Sequence, residues 1–438
     1  MPPSDVDFGD WIEEARGLAK LQGPIPSSDR TILRRTLVEL HDLFLRSPNS
    51  VQKSYRAMAD RRILARQKLF EDQLAHGRLS WSLPEDGPEE IAATLGSLIR
   101  AVDWTLGQYR SQWPASSQQW LVEDLGWYVI PRDGPSRSRS LAQGQLYEKR
   151  GIVFHRLVPR NIGGYLVEVV NTRTRHPSVG GAGDWRMGAC LFDELSLQPS
   201  FSEEGEEKRF VVVGVHCADA EGAVVSQVED ALNEGCIAVV WPELTVPPAL
   251  REKIRGLLAG RDVADPRFPP SVVVTGSWHE DLEGGGIANR ARIYDGYGIE
   301  RLAYDKIAPY ADCKWGREAI TPGERICVLA TEGALTGFAI CLDFCDMASN
   351  PFTNLDIDFM LVPSMGNDRT MEGHQMTAAA VEVKFGTRTF VVQFITETEF
   401  QDGRIGAVIP MPKKPAATAI KDMGQNAVWK AYPWPKNT

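Results

Sequence analysis

From residue 210 onward the chain carries a series of short, wholly apolar runs of strand length, separated by segments of helical character. Phe210-Val-Val-Val-Gly-Val215, Cys236-Ile-Ala-Val-Val-Trp241, Val272-Val-Val-Thr-Gly276, Phe338-Ala-Ile-Cys341, Phe359-Met-Leu-Val362 and Thr389-Phe-Val-Val-Gln393 are the clearest, with Arg292-Ile-Tyr294 between them. Apolarity without alternation suits a strand buried on both faces. Such strands need helices to cover them, so the pattern points to a layered α/β domain. No internal repeat is visible.

The first 130 residues have a different texture. Asp29 is placed to cap a helix with Ile32, Leu33, Leu37, Leu40, Phe44 and Leu45 at helical spacing, ended by Ser47-Pro48. The spacing predicts a second, highly charged helix over 50–76, stopped at Gly77, and a third from Pro88 with Ile91, Leu95, Leu98, Ile99 and Val102 on one side. Trp104, Tyr109, Trp113, Trp120, Trp127 and Tyr128 read as packing anchors or an oligomer contact rather than a base-stacking surface. Residues 131–150, with Arg137-Ser-Arg139-Ser, read as a linker or solvated loop, and 151–158 with 164–171 as a strand pair around Asn161-Ile-Gly-Gly164. Gly180-Gly-Ala-Gly183 reads as a turn, because it lacks the strand-to-helix setting of a dinucleotide loop. The acidic stretch Glu203–Glu207 marks an expected boundary. The expected organisation is therefore a mainly helical region at 1–130, a linker with short strands at 131–206, and the α/β domain at 207–438.

Composition excludes several classes. The 438 residues hold 48 Lys+Arg against 58 Asp+Glu, a net charge of −10, with 43% hydrophobic residues. That balance argues against a nucleic-acid or anionic-membrane binder, which needs surplus cations. The acidic excess lies wholly after residue 150. The seven cysteines all fall after residue 189 and include no CxxC pair, which speaks for reduced thiols in a cytoplasm rather than a disulfide framework or zinc ribbon. The N-terminus lacks the basic and apolar regions of a secretion signal, and no apolar stretch approaches the roughly 20 residues of a membrane span. The seven histidines show no HxH or HxxxH pairing, so neither metal nor cofactor is expected.

Functional residue types stand at the ends of three strands, where α/β domains gather their chemistry. Trp241-Pro-Glu243 offers a carboxylate, Tyr304-Asp-Lys306 an amine, and Gly337-Phe-Ala-Ile-Cys341-Leu-Asp343 a thiol. Singly, each has a bland reading: a surface Glu, a solvated Lys, a small buried Cys.

Taken in order, Pro-Glu-Leu, Tyr-x-Lys and Gly-x-x-Ile-Cys-x-Asp resemble the motifs of the nitrilase superfamily of carbon–nitrogen hydrolases. The resemblance runs from about Phe210 to about residue 410. It includes the Glu-Gly-Cys-Ile-Ala-Val-Val lead-in to Glu243, the Thr321-Pro-Gly323-Glu turn, and Leu361-Val-Pro-Ser364 after the thiol. It implies an α-β-β-α sandwich at 207–438, with a helical extension of about 200 residues outside the usual domain. It also implies a Glu–Lys–Cys triad: Cys341 as nucleophile, Glu243 as general base, and Lys306 with the Leu342 backbone N–H holding the oxyanion. Glu318, five residues before Gly323, matches a second carboxylate of the family that orients the lysine or the leaving amine; Glu324, after the turn, is the weaker choice. Association into a homo-oligomer is expected too.

The chemistry supports these residue types independently. A thiol of pKa about 8.5 needs a base or cation beside it at neutral pH, and attack on a carbonyl creates an oxyanion that a fixed cation and an N–H stabilise. Cys345 and Cys313 compete for the thiol's role, and Leu342-Asp343-Phe344-Cys345-Asp346 departs from the family pattern after the nucleophile. Asp343 is open between a supporting acceptor and an N-cap, while His374 reads as a surface or pocket-wall residue. Cys341-Leu-Asp343 lacks the Cys-Trp-Glu of true nitrilases, which favours a small-molecule amide or N-carbamoyl substrate. Arg317 and Arg369 are candidates for a substrate carboxylate, with surface ion pairs the commoner role. Two rival readings are a binding or assembly protein whose N-terminal helices dock a partner protein or nucleic acid, and an acyltransferase.

Overall fold

The computed structural model describes residues 7–21, 25, 29–108, 114–132, 150–172, 186–205, 207–262, 264–331, 333–345, 350–395, 404–410, 418–421 and 427–433. The chain divides into two compact units, Met1–Arg160 and Asn161–Thr438. Residues 133–149, with Arg137 and Arg139, the Gly180–Gly183 turn, Tyr109, Trp113 and Asp346 lie outside the described residues. Among the described residues no helix is long and apolar enough to cross a membrane, and none of the seven cysteines is in a disulfide.

The first unit holds α1 (Phe8–Leu21), α2 (Arg30–Leu45), α3 (Asn49–Ala57), α4 (Asp60–Ala75) and α5 (Pro88–Gln108), followed by the small antiparallel sheet β1 (Leu121–Val122), β2 (Trp127–Pro131) and β3 (His155–Pro159). Asp29 caps α2 as expected, its Oδ1 accepting the N–H groups of Thr31 and Ile32 at 3.0 and 3.1 Å. α2, α3 and α4 all pack on α5, which is buried nearly all round, as a central helix must be. The single helix expected over 50–76 is instead α3 and α4, broken at Met58-Ala59. The fully buried Arg150 explains the break: its guanidinium donates to the carbonyls of Tyr55, Arg56 and Met58 and pairs with Asp60. Carbonyls left over at the end of α3 thus find a donor that no local pattern announces. Of the aromatic residues, Trp120 and Tyr128 are core and Trp127 packs edge-on against His41.

The second unit begins with β4 (Asn161–Ile162), β5 (Tyr165–Asn171), β6 (Arg186–Phe192), β7 (Ser196–Glu204) and β8 (Glu207–His216), then α6 (Ala220–Asn233), β9 (Ala238–Glu243) and α7 (Pro248–Ala259). It continues with β10 (Val272–Asp281), β11 (Ile287–Tyr294), β12 (Glu300–Asp305), β13 (Ala311–Asp312), β14 (Gly316–Glu318), β15 (Arg325–Ala330) and β16 (Leu335–Phe338). The one-turn helix α8 (Leu342–Cys345), β17 (Phe359–Gly366), α9 (Asp368–Phe385), β18 (Arg388–Ile395), β19 (Arg404–Pro410), β20 (Thr418–Lys421) and β21 (Ala427–Pro433) complete it. A six-stranded sheet has the order β12-β11-β10-β9-β6-β21 and an eight-stranded one the order β20-β19-β18-β17-β16-β15-β5-β4. β9 of the first touches β17 and β18 of the second, and β6 touches β18 and β19. α6 packs on β6 and β21 and α7 on β10, whereas α9 packs on β17 and β18. A third sheet, β13-β14-β8-β7, shares no strand with either, and its β8 touches β10.

Several expectations change here. The division falls at 160/161 rather than 206/207, because β5 lies between β4 and β15 and β6 between β9 and β21, inside the two large sheets. The strand pair expected around Gly163-Gly164 does not form: β3 pairs with β2, whereas the two glycines, at φ +60° and +92°, turn β4 into β5. The acidic stretch is not a boundary: Glu203, Glu204 and Glu207 belong to the β7–β8 hairpin, with Gly205 at φ +65°. Phe210–Val215 is not buried on both faces. In the small third sheet Phe210 and Val212 face inward and Val213 is 62% exposed.

Candidate active site

β9 is buried along its whole length and delivers Glu243 at its end. The next residue, Leu244, takes φ +56°. β10 follows β9 in unbroken register, Thr275 pairing with Trp241 and Ser277 with Glu243, and Gly276 at φ +65° falls between, where the pairing of β10 with β11 shifts. A Cβ on Gly276 would lie 2.2 Å from the Pro242 carbonyl oxygen, so only glycine allows this approach beside Glu243.

Lys306 follows β12, and its backbone is clamped on both sides. Its N–H donates to Asn289 O at 2.9 Å, and its carbonyl accepts the Gly323 N–H at 2.8 Å. The Thr321-Pro-Gly323 motif thereby gains a physical meaning: a Cβ at Gly323 would meet Asp305 O at 2.2 Å, so the turn packs directly on the chain that carries the lysine. Cys341 follows β16 in a left-handed conformation, φ +46°, that non-glycine residues rarely take. Leu342 opens α8, so its N–H belongs to a first helical turn, where N–H groups lack intrahelical acceptors.

These elements bring Glu243, Lys306, Glu318 and Cys341 onto the wall of one cavity of about 450 Å³. Lys306 Nζ donates to Glu243 Oε1 at 2.8 Å and to Glu318 Oε2 at 2.7 Å. The three charged side chains are each 2% exposed. The Met365 peptide ties the acid to the thiol: its N–H donates to Glu243 Oε2 at 3.2 Å, and its carbonyl accepts from Cys341 Sγ at 3.2 Å.

Two carboxylates around one ammonium leave an excess negative charge in a dry site, which would be costly without further donors. They are present. Asn289 Nδ2 donates to Glu243 Oε1 at 2.9 Å and Glu318 Oε1 at 2.8 Å, and Tyr310 N–H donates to Glu318 Oε2 at 2.9 Å. His279 adds another. Its Nδ1 accepts the Val212 N–H at 2.7 Å, which puts the ring proton on Nε2, facing Glu318 Oε1 at 2.9 Å. Burial pulls the Lys306 pKa down, but the charges of Glu243 and Glu318 outweigh it and hold it well above its ordinary value. Glu318 is driven well below the carboxylate range: burial raises it, and the Lys306 charge with the His279 hydrogen bond overcomes that. Burial, with the Glu243 charge beside it, raises the Cys341 thiol well above its ordinary value despite the nearby ammonium. The resting sulfur is therefore protonated and needs a base.

Asp343 is neither a surface residue nor an N-cap. Buried, it accepts from Tyr304 OH at 2.7 Å and from the N–H groups of Ile307, Ala308 and Ile340 at 3.0, 2.7 and 3.3 Å. It thus joins the lysine loop to the nucleophile turn. Burial pushes its pKa up to about 6 even so.

The competing residues fall away from the centre. Cys313 is exposed at the cavity's edge, Cys345 sits in α8 against Gly373 of α9, and Glu324 is exposed. Arg317 and Arg369 are both exposed and neither lines the cavity; Arg317 has Glu207 at 3.8 Å. The surface or pocket-wall reading of His374 is wrong. It is fully buried, stacked on Phe344, with Nε2 3.0 Å from Ser364 Oγ, and burial lowers its pKa to about 3. Sequence reasoning missed His279, Asn289 and Met365. Asn289 left one signal, a polar side chain on the face of β11 that it shares with the buried Ala291 and Ile293. Met365 acts through its backbone and left none.

A buried acid, ammonium and thiol thus line one cavity, and these are residue types from which acyl-transfer chemistry can be built. No protein-family profile matches the chain, and no curated protein matches it. Solved structures do. The NitN amidase from Nesterenkonia sp. AN1 aligns with 57% of this chain and 93% of its own length, at 17% identity and a TM-score of 0.39. A mutant of the Nesterenkonia AN1 amidase, described as from the nitrilase superfamily, covers 57% of this chain and 92% of its own at 16% identity and TM-score 0.39. A CN-hydrolase superfamily protein from Xanthomonas campestris, with an arsenic adduct in its active site, covers 57% and 91% at 16% identity and TM-score 0.37. Helices α1–α5 lie outside the match. At these identities and TM-scores, nothing about activity passes from those proteins to this one.

Proposed function

We propose that residues 161–438 form an α-β-β-α sandwich of the nitrilase-superfamily type and hydrolyse a non-peptide C–N bond, in an amide or N-carbamoyl compound. The observation that carries this reading is the shared hold on Lys306 by Glu243 and Glu318, with Met365 joining Glu243 to Cys341. Glu243 takes the thiol proton as sulfur attacks the carbonyl carbon. The oxyanion is met by Lys306 and the Leu342 N–H, contacts that strengthen as charge develops. The protonated Glu243 then returns its proton to the leaving nitrogen, the C–N bond breaks, and a thioester remains on Cys341. Water, deprotonated by Glu243, adds to the thioester; acid and thiol are released. Glu318 keeps the lysine charged and aimed, and Asn289 and His279 hold Glu318.

The test is ammonia or amine release from a panel of amides and N-carbamoyl compounds. Cys341→Ala should lose on the order of 10⁵-fold in kcat, and Glu243→Gln on the order of 10³-fold. Intact-mass detection of an acyl adduct on Cys341 identifies the intermediate. Full turnover by Cys341→Ala would end the proposal. We also propose association between copies: Met376 and Val383, two turns apart on α9, are 62% and 58% exposed, and light scattering reads the mass directly. A reducing cytoplasm suits seven cysteines of which none is in a disulfide.

A further inference from the structure

Resting on that reading, we infer that the substrate is a neutral amide whose acyl part is apolar and large enough to carry an aromatic ring. Much of the cavity wall is built by residues other than Glu243, Lys306 and Cys341. Leu195 and Leu197 come from the start of the β7–β8 hairpin, Phe210 from β8, and Trp315 from the β13–β14 turn. Leu197, Phe210 and Trp315 pack with Leu244 and Met365 in one apolar cluster on this wall. Phe210 meets Trp315 edge-on at 5.2 Å and Tyr310 at 6.4 Å, so the wall presents aromatic surface at fixed angles. Its volume of about 450 Å³ lies within the roughly 300–1,000 Å³ of sites that enclose drug-sized ligands, far more than an acetyl group needs.

Charge narrows the class further. The ionisable acids on the wall are Glu243, Glu318 and Asp312, and the ammonium groups are Lys306 and Lys314. Lys306 is held by two carboxylates, and Lys314 is exposed at the rim. Asp312 already accepts from Tyr310 OH and from the N–H groups of Lys314 and Trp315, at 2.8, 2.9 and 2.6 Å. A substrate carboxylate would leave water for a cavity with more acids than cations, which disfavours acidic amides and N-carbamoyl amino acids.

The experiment compares acetamide, 3-phenylpropionamide and succinamic acid. It measures kcat/KM with the wild-type full chain and equilibrium binding by calorimetry with Cys341→Ala. Burying a phenyl ring should favour 3-phenylpropionamide over acetamide by about 50-fold in kcat/KM, with the same order in binding and succinamic acid last. Leu197→Lys places a cation in the wall and should shift the succinamate-to-phenylpropionamide ratio by about 10-fold or more. Preference of the wild type for acetamide or succinamic acid overturns the inference and leaves the hydrolase reading standing. Tight binding of 3-phenylpropionamide by Cys341→Ala without turnover of any amide by wild type sustains the apolar pocket and overturns the hydrolase reading. Absence of both binding and turnover of the apolar amide overturns the inference.

Discussion

Lys306 carries the site's electrostatics. Its ammonium donates one hydrogen bond to each of two carboxylates, and each carboxylate is in turn braced by Asn289. Glu318→Gln removes one charge from this set and should lower kcat by about 10²-fold while the chain stays folded, checked by kinetics beside circular dichroism. Stability against pH gives a second readout. The folded pKa of Glu318 lies below its unfolded value near 4.5, so its contribution is present above that pH and drains away as pH falls beneath it. The fall in Tm from pH 5 to 3 should therefore be shallower in Glu318→Gln than in wild type. Asp343 has the opposite sign. Its folded value of about 6 exceeds the ordinary 3.8, so its contribution is present at low pH and is lost as pH rises through 6. Asp343→Asn should flatten the Tm decline between pH 4 and 7, and an unchanged slope would count against this account.

At the scale of elements, the strand ends are held by backbone fits rather than by side-chain packing alone. Gly276 lets β10 lie directly against Pro242, one residue before Glu243. Gly276→Ala meets both a positive φ and a clash with a carbonyl oxygen. It should cost more than about 1 kcal/mol, with loss of activity from a displaced Glu243, read by thermal melting and kcat. The third sheet shows where reading by apolar runs fails. Phe210–Val215 looks like a core strand because Val213 and Val215 are apolar, yet a small edge sheet exposes one face of it. Burial belongs to the neighbours a strand acquires, and those are set far away in sequence.

Across the whole molecule, the position of the unit boundary is directly testable. A chain beginning at Asn161 keeps both large sheets whole, whereas one beginning at Glu207 loses β5 and β6 from their interiors. The first should melt cooperatively and keep thiol-dependent turnover. The second should lack a cooperative transition, by circular dichroism and calorimetry. In the first unit, Leu98→Ala on the buried α5 should cost about 2–5 kcal/mol.

The amino-acid order alone determined the alternation of strands and helices, the capped start of α2, and the residue types at three strand ends, because hydrophobic periodicity and capping act over a few residues. It also placed Glu243, Lys306, Glu318 and Cys341 by motif. Only the tertiary structure decided that β5 and β6 belong with the later strands, that Arg150 splits the helix over 50–76, and that Asn289, His279, Asp343 and the Met365 peptide complete the site. Those contacts join residues from 36 to 122 positions apart, and a buried charge takes whatever donors the packed chain brings to it.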